Sequence, residues 1–156
     1  MQRVDVCVLA LSSPILVGIY ENNKLKEEIK SLDKTSEILP KIFSDILKRY
    51  EVNFIFFAKG PGSFMSIKLV YIFLKTINIV KGIPLFATDG FYFTNSPIKA
   101  IGNRYFIKKD NKIDIVKLEN VTTTFNLPTI LDKSKFDTNI EPLYILDAVE
   151  LQKDVN

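Results

Sequence analysis

Histidine and tryptophan are absent from the 156 residues, and cysteine occurs once. Without histidine the chain has no imidazole to act as a general base near neutral pH, as a partner to a nucleophile or as a metal ligand. One cysteine excludes an internal disulfide, supplies no zinc constellation and suits a reducing cytosol. Cys7 lies in an apolar strand pattern, where a thiol behaves as a small buried hydrophobe. No stretch offers about twenty apolar residues free of charge, the length a membrane span needs. The segment from Phe64 comes closest, and Lys68 and Lys75 interrupt it. Arg3 and Asp5 break the first apolar run, so no signal peptide is expected before Val4. These absences point to a cytoplasmic protein with no membrane partner and no histidine-dependent chemistry.

What is present is enough for a core. The chain is 47% hydrophobic with 12 phenylalanines, which predicts one ordinary domain or one domain with a small appendage. The net charge is +3 and the isoelectric point is near 8.9. That balance permits contact with RNA without arguing for it. Lys108-Lys109 is the densest basic pair, and it reads as a solvated hairpin end.

Residues 4–11 are almost continuously apolar, as in a central strand buried on both faces. Ser12-Ser13-Pro14 turns the chain into a strand over 15–20. Glu21-Asn22-Asn23-Lys24 is a hairpin turn leading to a strand over 25–29. Apolar residues at Ile38, Leu39, Ile42, Phe43, Ile46, Leu47 and Tyr50 mark one face of an amphipathic helix, with Pro40 near its start. Strand 54–58 runs into Gly60-Pro61-Gly62-Ser63, a preset turn whose serine can cap a helix over 64–81. That helix stops on Lys81-Gly82-Ile83-Pro84, with a cation, a glycine able to go left-handed and a proline. A fifth strand follows at 85–88. The order β-β-β-α-β-α-β predicts a meander with parallel additions, assigned to residues 1–88. Residues 89–156 offer three strand candidates, at 98–101, 104–107 and 113–118, followed by a polar, loop-like stretch at 120–135. They read as a truncated second lobe folded against the first.

Gly60-Pro61-Gly62-Ser63-Phe64, entering a helix that ends in Gly82-Ile83-Pro84-Leu85, resembles the signature of the TsaB family, also called YeaZ. The usual family form is G-P-G-S-F-T-G-x-R and then G-I-P-L. Here Met65-Ser66 stand in place of Thr-Gly, and Lys68 in place of Arg. Two further segments fall in the family's order. Ser36-Glu37-Ile38-Leu39-Pro40 resembles its first helix. Glu141-Pro142-Leu143-Tyr144, with Val149 five residues on, resembles its C-terminal E-P-x-Y ending. The likeness runs from about residue 4 to residue 149, densely in the first half and thinly in the second. Family members carry a fuller second lobe, so the chain resembles a short form.

The resemblance implies an α/β fold: an actin-like (ASKHA, ribonuclease-H-like) lobe with a mixed five-stranded sheet and two helices, plus a truncated C-terminal lobe. It implies a non-catalytic scaffold or activator subunit of the complex that makes threonylcarbamoyladenosine in tRNA. Its partners would be a TsaD-like catalytic subunit and a TsaE-like ATPase, with tRNA reached only through the complex. No cofactor, metal or catalytic residue of its own is expected. Gly60, Pro61, Gly62 and Ser63 are expected to form a structural turn. The second helix is apolar around most of its circumference, more than one sheet face can cover. It is therefore expected to join the first helix in a two-helix ridge for the partner or for a second copy of the chain. The expected interface comprises Leu39, Phe43, Ile46, Tyr50, Phe64, Ile67, Lys68, Tyr71 and Lys75.

A rival reading is a degenerate actin-like nucleotide-binding phosphotransferase or hydrolase, with Asp5, Asp89 or Asp114 as metal ligand. Nucleotide-binding relatives place a carboxylate and small residues in the first hairpin. Residues 9–15 here have no acid, and no glycine in the turn. A stand-alone RNA-binding module is a third reading, whose sign would be salt-dependent tRNA affinity.

Overall fold

The computed structural model of the chain describes residues 1–145, so Val149 lies outside the described residues. Three strands open the fold: β1 (Arg3–Leu9), β2 (Ile15–Glu21) and β3 (Lys24–Ser31). Helix α1 (Thr35–Arg49), β4 (Glu51–Ala58), α2 (Phe64–Lys81) and β5 (Leu85–Thr88) follow. The five strands form one sheet in the order β3-β2-β1-β4-β5. β1 pairs antiparallel with β2 and parallel with β4, and β4 pairs parallel with β5. The sheet is therefore mixed, a meander extended by two parallel additions.

Strand periodicity sorts the core into two halves, because successive side chains point to opposite faces. Val4, Val6 and Val8 of β1 join Ile55, Phe57 and Leu85 on one face. Leu39, Ile42, Phe43 and Ile46 of α1 and Val70 and Leu74 of α2 cover them. Both helices thus lie on the same face, and Phe43 meets Phe73 edge-on at 5.4 Å between ring centres. On the other face, Cys7 and Leu9 of β1 and Phe56 of β4 pack with Phe93, Leu127, Leu131 and Phe136.

That second face is covered by the chain after β5. A single 3-10 turn (Gly90–Phe93) leads into a small antiparallel sheet of β6 (Ile98–Lys99), β7 (Arg104–Lys109) and β8 (Lys112–Lys117). From residue 119 to residue 143 the chain then runs as a strap with almost no regular structure. It is tied down by long-range bonds: the Leu25 N–H to the Thr129 carbonyl at 2.9 Å, Leu131 N–H to Asn23 at 2.8 Å, and a reciprocal Ala87–Asp137 pair. The Tyr20 hydroxyl donates to the Pro128 carbonyl at 2.7 Å. The Asp5 carboxylate, only 8% exposed, meets Lys133 Nζ at 2.8 Å. That ammonium also lies over the rings of Phe54 and Phe56, at 5.6 and 5.7 Å. A buried carboxylate held this way avoids the cost of an unpaired charge. The stretch 120–135 is loop-like, as its polarity predicts, yet its scattered Leu127 and Leu131 are core residues.

Candidate functional site

Four chain segments meet at the end of the sheet beside the Gly60–Ser63 turn. Lys59 N–H donates to Thr88, Gly90 N–H to Gly60, Ser63 N–H to Leu11 and Leu143 N–H to Lys59, all at 2.8–3.1 Å. The first hairpin, the glycine turn, the start of the second half and the Pro142-Leu143 step are thus stitched through backbone groups. Gly60 has φ 130°, outside the range L side chains adopt, and a Cβ there would strike the Leu143 carbonyl oxygen. Gly62 has ordinary backbone, but its added Cβ would lie 2.8 Å from the Leu11 oxygen. Gly60, Pro61 and Gly62 are all buried. The turn is filled by protein at the place where a phosphate-cradling loop would lie open. Ser63 caps α2 through a 3.5 Å contact from the Ser66 N–H. At the other end Gly82, with φ 70°, closes the helix on the Asn78 carbonyl.

The expected interface residues separate into two groups. Leu39 (1% exposed), Phe43 (1%) and Ile46 (0%) face the sheet and are core, which corrects the expectation that they form an outward stripe. The pattern on α1 is the stripe any helix needs to bind a sheet, and the sheet and the neighbouring α2 cover its centre. The solvent side of α1 is polar, with Lys41, Ser44, Asp45 and Lys48 exposed. Tyr50 is half-buried, with Arg49 and Lys26 over its ring. Ile67 is also core, packed among the strap-face residues. Phe64 and Lys68 are exposed, while Tyr71 and Lys75 are half-buried on one flank of α2.

The surplus apolar surface of α2 is real, and it falls on residues the sequence reading did not select. Met65, Ile72, Ile79 and Val80 are 66%, 51%, 73% and 70% exposed. The first three are seven residues apart, so they stack in one line along the helix. Half-buried Leu69 continues the line. Helical spacing taken from the buried Val70 and Leu74 could have found these positions, since they occupy the opposite side.

Two clefts adjoin the turn. One, of about 500 Å³, mixes polar groups such as Ser12, Ser13, Asp33 and Lys34 with apolar side chains that include Leu32 and Met65. The other, of about 300 Å³, is mainly apolar and lies between Phe64 on α2 and Ile101, Phe106 and Ile115 of the small sheet. The three aspartates weighed as metal ligands do not converge. Asp5 pairs with Lys133, Asp89 pairs with Lys108 and caps Phe91, and Asp114 sits on β8 opposite Ile107. Among the described residues no three His, Cys, Asp or Glu side chains cluster as a metal site. Burial pushes the Cys7 thiol far above its ordinary pKa, which leaves it inert at neutral pH. Among the described residues no helix is long and apolar enough to cross a membrane.

No family model matches the chain, and no curated protein matches it by sequence. Solved structures do match. YeaZ from Pseudomonas aeruginosa superposes with a TM-score of 0.60 over 81% of this chain and 72% of that one, at 12% identity. A crystal structure described as an uncharacterized protein with similarity to peptidase YeaZ, from the same organism, gives 0.59 over 81% and 71%, also at 12% identity. At that identity the likeness establishes the fold: a mixed five-stranded α/β sheet with two helices, of the kind found in YeaZ.

Proposed function

We propose that the chain is a non-catalytic scaffold subunit of a tRNA threonylcarbamoyladenosine complex, presenting α2 to a TsaD-like catalytic subunit and aiding recruitment of a TsaE-like ATPase. The observation that carries this reading is the exposed line Met65, Ile72 and Ile79 on a fold like that of YeaZ. An apolar line of that length, flanked by Lys68 and Lys75, has the makeup of an interface centre with a polar rim. It would pack as one half of a helix-to-helix contact, and a second copy of the chain could occupy the same line. The actin-like ancestry of the lobe belongs to the same proposal. So does the absence of a catalytic role, which fits a chain without histidine and a turn filled by its own backbone.

Co-purification with the TsaD-like protein of the same cell tests it. Ile72→Glu places a carboxylate in the centre of the line and is expected to abolish capture, while the melting temperature stays unchanged because the side chain is half exposed. Undiminished capture by Ile72→Glu would overturn the assignment of this face.

One observation favours the rival, a degenerate nucleotide-binding enzyme: the cleft beside the first hairpin, where serine hydroxyls, Asp33 and Lys34 share the wall with apolar side chains. A clear rise in melting temperature with millimolar ATP and Mg²⁺, lost in Asp33→Asn, would favour it, since a ligand stabilises the state it binds.

A further inference from the structure

Charge is distributed unevenly over the molecule. Residues 98–117, the small sheet with its turns, hold six of the 21 Lys and Arg (Lys99, Arg104, Lys108, Lys109, Lys112, Lys117) and two of the 18 acids (Asp110, Asp114). Their net charge is 6 − 2 = +4, while everything else sums to 15 − 16 = −1. The basic character of the chain is therefore the property of one small element.

The register sharpens this. Of the directly opposed β7–β8 pairs, Lys109–Lys112 sets cation against cation. Like charges directly opposite destabilise a sheet. Lys108 is compensated by Asp89. Among the described residues, Lys99, Lys109, Lys112 and Lys117 form no ion pair, and all four are exposed. Lys99 lies opposite Tyr105 and Lys112 opposite Lys109, so Lys99, Lys109 and Lys112 share one face. Guarding of free sheet edges accounts for lysines on β6 and β8. β6 pairs only with Tyr105 and Phe106, so Lys109 borders a free edge too; what edge guarding leaves open is that Lys99, Lys109 and Lys112 all fall on one face.

We propose that this face of the small sheet is a docking surface for the phosphate backbone of a folded RNA, held by Lys99, Lys109 and Lys112. Lysine is depleted at protein–protein interfaces, and an ammonium binds phosphate as a compact point charge. A patch of exposed lysines without an exposed aromatic anchor therefore suits a polyphosphate better than a protein. The choice of RNA among polyanions rests on the reading above. It departs from that reading in one respect: the chain touches the RNA directly rather than only through its partner.

Anisotropy of a fluorescent tRNA transcript, titrated with the full chain across a salt series, tests the proposal. Binding at low salt that weakens steeply as salt rises is expected. The double variant Lys109→Glu/Lys112→Glu is expected to weaken it by about tenfold or more, and Lys41→Glu/Lys48→Glu on α1, with the same charge change, by less than about twofold. The milder variant Lys99→Gln, which leaves the hairpin turn intact, should also weaken binding and serves if the first variant fails to fold. No binding at low salt, equal losses from the sheet and helix variants, or competition by polyglutamate as effective as by RNA would each overturn the proposal. The assay needs no partner protein. A chain that binds RNA through these lysines yet captures no TsaD-like subunit would refute the scaffold reading alone.

Discussion

The two faces of the five-stranded sheet are covered by different means. One carries α1 and α2, whose apolar residues recur at helical spacing and enter the core together. The other carries a strap from residue 119 to residue 143 that contributes single side chains, Leu127, Leu131 and Phe136, at irregular intervals. The helices satisfy their backbone groups internally. The strap satisfies its own by reaching strand ends far away in sequence, such as Asn23 and Ala87. A helical layer is specified locally and holds as a unit, whereas a strap is specified one tether at a time.

Matched truncations test that difference, with the largest effect on the helix face. Phe43 is 1% exposed and lies between α1, α2 and the sheet. Phe43→Ala is expected to cost about 3–5 kcal/mol and to lower the urea midpoint of the whole domain. Phe136, 8% exposed, meets the rings of Phe56 and Tyr92 at 5.0 and 5.2 Å. Phe136→Ala is expected to cost less, about 3 kcal/mol or below, because the strap can settle into part of the void. Amide exchange at Leu131 and Asp137 should quicken first in that variant, before the helices are affected. Equal costs, with all amides released together, would mean that both faces belong to one cooperative unit.

The same contrast governs what could be foreseen. Helix α2 runs over the expected residues 64–81, because Ser63 and Gly82 are local stop signals and act where they stand. Helix α1 begins at Thr35, three residues before its apolar pattern, since its first turn is exposed and leaves no periodic mark. The small sheet appears where its strand runs predict, ending one residue short on β8 and two short on β6. The route of the strap was not legible, because its tethers to Asn23, Leu25 and Ala87 join positions from about fifty to more than a hundred residues apart and no periodicity encodes them. The direction of the α1 stripe was not legible either. A 1-3-1-3 pattern states that one face is covered, not whether a sheet or a partner covers it.

Where the two faces meet, the glycine turn offers a smaller perturbation. Gly62→Val would place a branched side chain 2.8 Å from the Leu11 oxygen and 2.9 Å from its Cβ. The chain must shift there, at an expected cost of about 1–3 kcal/mol. Gly82→Ala meets no neighbouring atom but must hold φ 70°, so it should cost about 1 kcal/mol. Thermal melts of the two variants separate steric crowding at the seam from simple backbone strain. A Gly62→Val protein with an unchanged melting temperature would show that the seam yields freely.

The smallest effect concerns one tether of the strap. The Tyr20 hydroxyl donates to Pro128 at 2.7 Å, and Tyr20→Phe removes that bond while keeping the ring. The expected cost near neutral pH is about 1 kcal/mol. Burial holds the Tyr20 phenol above its ordinary value of 10.0 in the folded chain, whereas the unfolded chain ionises at that value. The folded-state pKa is the raised one, so this contribution is complete below the unfolded pKa and is lost as pH rises through it towards the folded value. Wild-type stability should therefore fall above about pH 10 through this residue, and the Phe variant lacks that loss. The buried Cys7 thiol titrates in the same direction from 9.0 but is common to both proteins, so it cancels from their difference. Urea unfolding of both proteins near pH 8 and again near pH 11 should show the wild-type advantage shrinking at the higher pH. An advantage that stays constant would mean that the phenol is not kept neutral by the strap, and that Pro128 holds it less tightly than the bond length implies.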